Sequence, residues 1–133
     1  MSDQADDSLQ YIIFETDQAQ AEREAALFRL VGITGPDFAN AWHDGLILKI
    51  FSLKDFPGPL ACAKDEEASS LYGFEVRRQL YTGPLGRSRI AYRILFTIIA
   101  PSQRSRAAII RILRILHGSQ QLASNAPELE PES

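Results

Sequence analysis

The chain has 133 residues, 45% of them hydrophobic, and a formal net charge of −3, a size and composition that suit one domain with a real core. No run of about 18 apolar residues offers a membrane span, and the acidic N-terminus lacks the apolar stretch of an export signal. The single cysteine, Cys62, excludes an internal disulfide and a cysteine-built metal cluster. The expectation is a cytoplasmic protein without membrane contact, metal or cofactor.

Residues 1–8, MSDQADDS, read as a disordered acidic leader. Leu9 to Phe14 is a short predicted strand. A helix rich in alanine and glutamate follows from Asp17 to about Val31, with Thr16 or Asp17 as N-cap and Gly32 as terminator. Its apolar stripe is read as Ala21, Ala25, Phe28 and Val31. A second helix opens at Pro36, where proline is tolerated at the first helical position. Its stripe is Phe38, Trp42, Leu46, Ile50 and Leu53, and it ends before Phe56-Pro57-Gly58-Pro59. Trp42 reads as core, and Asp44, Lys49 and Lys54 as the solvated face. His43 is a lone helical histidine with no second histidine at metal-ligand spacing. Residues 55–72 show no periodicity and read as a long connection, its Lys64-Asp65-Glu66-Glu67 segment solvated.

From Gly73 to Gly118 three β-rich runs are joined by two turns, an antiparallel meander. Alternation puts Phe74, Val76 and Leu80 on one face of the first run, with Glu75, Arg77, Gln79 and Tyr81 on the other. In the second run Tyr92, Ile94, Phe96 and Ile98 share one face, and Arg89, Arg93 and Thr97 the other. The glycines of the first turn, Gly83 and Gly86, are hairpin glycines and do not match a phosphate-binding loop. Residues 119–133 read as a disordered acidic tail. The order strand, helix, helix, strand, strand, strand predicts an α+β domain over residues 9–118: an antiparallel sheet with two helices on one face.

Charge is divided sharply along the chain. Residues 73–118 carry nine arginines, no lysine and one acid, Glu75, a net +8, whereas residues 1–72 carry a net −8. Arginine's planar fork suits phosphates and carboxylates, so the meander points to a polyanion or an acidic protein as partner. The alternative is that these arginines pair with the acidic helices of their own chain.

Four stretches together resemble the RelE/ParE family of bacterial toxins from type II toxin–antitoxin systems: F-A-N-A-W-H-D-G-L-I-L-K-I-F-S-L-K-D-F-P, then V-R-R-Q-L, then Y-R-I-L-F-T-I, then I-L-R-I-L-H-G. The likeness runs from about Tyr11 to Gly118, and the predicted element order is the family's. It implies one of two activities, ribosome-dependent mRNA cleavage or poisoning of DNA gyrase. It also implies a cognate antitoxin as partner, whose acidic segment would suit the basic meander, and homo- or hetero-oligomers. For metal-independent RNA cleavage, the resemblance assigns Arg93 and His117 as catalytic, with Arg77 or Arg78 as the arginine before the turn. Glu75 is the candidate base, sharing a face with Arg77. Arg77, Arg78, Arg89, Arg93 and Arg111 are the candidate nucleic-acid or antitoxin contacts. Gly118 departs from the pattern, standing where the nuclease branch has an aromatic hydroxyl, and the overall acidity departs too. A binding protein of the same fold that has lost toxicity is the alternative reading.

Overall fold

The structure, a computed structural model, describes residues 10–83, 91–118, 120 and 122. The acidic leader, most of the acidic tail and Arg89 lie outside them. The first strand, β1 (Tyr11–Glu15), leads into α1 (Asp17–Thr34) and α2 (Pro36–Phe51). Two 3-10 turns, Ser52–Lys54 and Pro59–Ala61, then bring the chain to β2 (Ala63–Lys64) and a short helix, α3 (Glu66–Tyr72). Then follow β3 (Arg77–Tyr81), β4 (Tyr92–Ile99) and β5 (Ala108–His117).

The α+β architecture is as expected, but the sheet is mixed. Its five strands lie in the order β1-β5-β4-β3-β2. The meander is antiparallel, whereas β1 runs parallel to β5, with Ile13 opposite Ile110. A strand followed by a helical hairpin can return to the sheet in either direction, and periodicity alone does not decide which. The connection read as structureless holds both β2 and α3.

Thr16 joins three elements at the end of β1. Its N–H donates to the Ile112 carbonyl at 3.1 Å, its hydroxyl to the Leu113 carbonyl at 3.3 Å, and its Oγ1 caps α1 by accepting from the Ala19 N–H at 3.1 Å. The helix continues through Gly32 and stops at Gly35, which has φ of 90°. That conformation is open to glycine, and Pro36 then starts α2 at once.

The inward stripe of α1 differs from the expectation. Ala19 and Ala26 are buried and Leu30 packs against the core, while Phe28 is 82% exposed and Ala21, Ala25 and Val31 also face out. The reason is electrostatic. Glu22 and Arg23 turn inward to meet Arg114 and Glu15, and an apolar-periodicity reading assigns such charges to solvent. On α2 the buried set is Ala39, Trp42, Leu46 and Ile50, continued by Leu53. A strict four-residue spacing drifts about 40° per step on a 3.6-residue helix, so Ala39 takes the inward position and Phe38 is left half exposed.

The hairpin α1–α2 packs on one face of the sheet against Tyr81, Tyr92, Ile94, Phe96, Ile110, Ile112 and Ile115. Trp42 lies between two tyrosines, its ring centroid 5.7 Å from that of Tyr81 and 5.1 Å from that of Tyr92. The Tyr81 hydroxyl donates to the Trp42 carbonyl at 2.7 Å, and burial pushes its pKa up to about 12. The expected face of β4 is observed, but that of β3 is inverted: Tyr81 points to the helices and Leu80 away. The wide ring of Tyr81, with a partner for its hydroxyl, fills the space under Trp42. The second face carries its own smaller core of Ala68, Val76, Leu95, Leu113, Leu116 and Leu122. A bulge opposite Leu95/Phe96 makes Leu113 the extra residue of β5.

His43 illustrates the cost of the polar seam between α1 and α2. Its Nε2 lies 2.9 Å from Arg23 Nη1, which can only donate, so the ring must be neutral with the lone pair on Nε2. Burial, then the Arg23 charge, hold its pKa below the ordinary value of 6.5, outweighing Asp44, Glu15 and Glu24. A depressed folded-state pKa means that the unfolded chain takes up the proton first. The contribution of His43 is therefore intact above about pH 6.5 and is lost as pH falls below it. Urea denaturation at pH 7.5, 6.5 and 5.5 should show His43→Gln losing less stability on acidification than the parent; equal slopes would contradict this account.

Candidate functional site

The strongest concentration of charge outside the α1 seam lies where β3 and β4 meet the start of α3. Asp65 is buried and caps α3, its Oδ1 accepting from the Ala68 N–H at 2.9 Å. Its other oxygen faces two arginines from neighbouring strands, Arg78 Nη1 and Arg93 Nη1, each at 3.8 Å. That separation allows electrostatic attraction but exceeds a hydrogen bond. Arg78 instead donates to the Lys64 carbonyl at 3.2 Å, and Arg93 to the Gln120 carbonyl at 2.9 Å. Two guanidinium groups against one carboxylate leave a net positive charge, and the Arg78 side chain is 40% exposed.

Arg78 also lines a groove of about 740 Å³ with Lys49, Asp55, Cys62 and Gln79. The groove exists because β2 pairs with β3 only at Arg77 and Arg78. Beyond that point the 55–63 connection and β3 diverge. Burial pushes the Cys62 thiol above its ordinary pKa despite Arg77 and Lys49, so at neutral pH it is a thiol rather than a nucleophilic thiolate. The arrangement is suited to holding a carboxylate or phosphate.

The residues assigned from the resemblance gather in pairs rather than at one point: Glu75 with Arg77, and Arg78 with Arg93 beside Asp65. Arg77 pairs with Glu75 at 3.1 Å and donates to the carbonyls of Cys62 at 2.6 Å and Leu60 at 3.2 Å, tying the 59–63 connection to β3. Arg93 lies on the opposite face of the sheet, beside Asp65. His117 is on the helix-covered side, its ring edge-on to Tyr92 with centroids 5.2 Å apart. Tyr92 in turn accepts a hydrogen bond from Arg29. The link between Arg93 and His117 runs through Gln120, whose Oε1 accepts from the His117 backbone N–H at 2.7 Å. Arg111 stands over the Phe14 ring at 5.8 Å, away from this cluster. Gly118 has a structural reason: a Cβ there would lie 2.7 Å from the Ala91 carbonyl oxygen. Among the described residues no group of three or more His, Cys, Asp or Glu side chains is placed to hold a metal ion.

Asp65 is the residue that sequence reasoning missed, having read 64–67 as solvated. An aspartate three positions before Ala68, ahead of Glu66-Glu67, is a helix-start signal. It identifies a cap, but the burial against two arginines depends on strand register. Comparison with protein-family models, curated proteins and solved structures found no match.

Asp65→Asn preserves the cap and removes the charge, so it should elute from a heparin column at higher salt than the parent, and Arg78→Ala at lower salt. Asp65→Ala also loses the cap and should be less stable than Asp65→Asn by about 1 kcal/mol in urea denaturation. Unchanged elution for all three would detach the cluster from anion binding.

Proposed function

We propose that this chain is the toxin of a type II toxin–antitoxin pair, a RelE/ParE-like protein that stops growth by binding DNA gyrase rather than by cutting RNA. The resemblance of the Trp42 helix, the Y-R-I-L-F strand and the I-L-H-G end supports the family. So does the arrangement of two helices between a first strand and a three-stranded meander. The observation that carries the choice between the two activities is the separation of Arg93 from His117 by the sheet itself. Cleavage at a 2′-hydroxyl needs a base, a cation and an acid around one phosphate. Here the first cation, Arg77, is occupied by Glu75 and two carbonyls. The close approach of Gly118 to Ala91 also leaves no room for an aromatic side chain after His117. A protein target fits the apolar surface of the helical hairpin, where Phe28 is 82%, Ile33 70% and Leu48 69% exposed. Neutralisation falls to an antitoxin in the cytoplasm, whose acidic segment meets Arg78 and Arg93.

A second reading, a binding protein of this fold without toxicity, is favoured by the internal pairing of Arg77 with Glu75 and the partial screening of Arg78 and Arg93 by Asp65. Induced expression in a bacterial host separates these readings when the parent, Arg93→Ala and His117→Ala are followed by growth and by mapping of mRNA 5′ ends. Growth arrest by all three without new ends, with loss of gyrase supercoiling in vitro, is the expected result. New ribosome-dependent ends that disappear in both variants would replace gyrase poisoning with RNA cleavage. Continued growth with soluble, folded protein would leave the non-toxic reading.

A further inference from the structure

The two edges of the sheet are not alike. One ends in β2, two residues long and carrying Lys64, a short charged edge of the kind that discourages pairing. The other is β1, five residues with no proline, lysine or bulge. Its one charge, Glu15, is drawn aside by Arg23, Nε to Oε2 at 2.7 Å. Against β5, the Gln10 carbonyl accepts from the Ala108 N–H and the Thr16 N–H donates to Ile112. The even-numbered residues therefore bond inward, and alternation turns the N–H and C=O groups of Tyr11, Ile13 and Glu15 outward. Among the described residues no strand lies beyond β1. On the second face of the sheet, Ile12 is 53% and Phe14 51% exposed.

From this we infer that β1 is a homodimer edge, occupied by β1 of a second copy running antiparallel about a two-fold axis through Ile13. The strand is self-complementary in that register. Ile13 faces Ile13 of the second copy, and Tyr11 faces Glu15. These are the residues whose backbone groups point outward, so each becomes a doubly hydrogen-bonded pair. Ile12 then faces Phe14 in the intervening non-hydrogen-bonded pair, where side chains approach most closely, at about 4.5–5.5 Å between Cβ atoms. Both half-exposed side chains are covered together, beside Arg111 on the Phe14 ring. A shift of one residue would turn the free backbone groups of one copy away from those of the other, and a shift of two would leave the end of each strand unpaired, so the register centred on Ile13 pairs the most residues. The two sheets join into one, with the helical hairpins of both copies on the same side.

The test uses the full chain in a Cys62→Ser background. One sample carries Ile12→Cys, another Phe14→Cys, and a third is their equimolar mixture. Mild oxidation should give covalent dimer in the mixture and little in either sample alone, because position 12 opposes position 14. Sedimentation of the parent should show a concentration-dependent dimer. Phe14→Lys should be monomeric with an unchanged circular dichroism spectrum. A parent that stays monomeric, a Phe14→Lys variant that stays dimeric, or equal cross-linking in all three samples would overturn the assignment.

Discussion

One buried ion pair decides how the rest of the molecule is arranged. Arg114 of β5 is fully buried, and its Nε and Nη2 donate to Glu22 Oε2 of α1 at 2.8 and 2.6 Å. The other carboxylate oxygen of Glu22 accepts the Ile115 N–H at 2.8 Å, on the part of β5 that β1 does not reach. A single side chain thus neutralises a buried charge and satisfies a strand edge. Burial works against the Arg114 charge, yet the bonds and fields of Glu22 and Tyr72 together outweigh it and hold the guanidinium above its ordinary pKa. Such a pair adds little against an apolar replacement, but losing one member strands the other in a medium that cannot solvate it. It fixes the rotation of α1, which turns Ala19 and Ala26 inward and leaves Phe28 on the surface.

That rotation explains what the sequence made legible and what it did not. The α2 stripe, Trp42 in the core, the apolar face of β4 and the order of the elements follow from period and spacing, signals local to the chain. The orientation of α1 depends on a partner about ninety residues away, and the role of Asp65 on arginines of two later strands. The face of β3 depends on which residue fills the space under Trp42. In each case a long-range polar or steric partner outweighs a local pattern.

The same contacts bear on the site. The arginine-rich meander divides into arginines that hold the fold together, Arg77 and Arg114, and arginines that keep surplus charge, Arg78 and Arg93 around Asp65. Pairing within the chain therefore accounts for Arg77 and Arg114, and the surplus charge of Arg78 and Arg93 is what the proposed acidic partner would use. Chemistry that needs Arg77, Arg93 and His117 at one point would require the sheet to be rebuilt, whereas binding an acidic segment needs only Arg78 and Arg93 to exchange Asp65 for a stronger partner.

The most direct measurement is a double-mutant cycle on the buried pair, by urea denaturation of the parent, Glu22→Gln, Arg114→Met and the double variant. Glutamine retains an acceptor for the Ile115 N–H and removes only the charge. The expected result is a loss of about 3–5 kcal/mol for Glu22→Gln in the parent and little further loss from the same change once Arg114 is methionine. An equal loss in both backgrounds would show that Glu22 acts without Arg114, and the pair would no longer account for how α1 sits on the sheet.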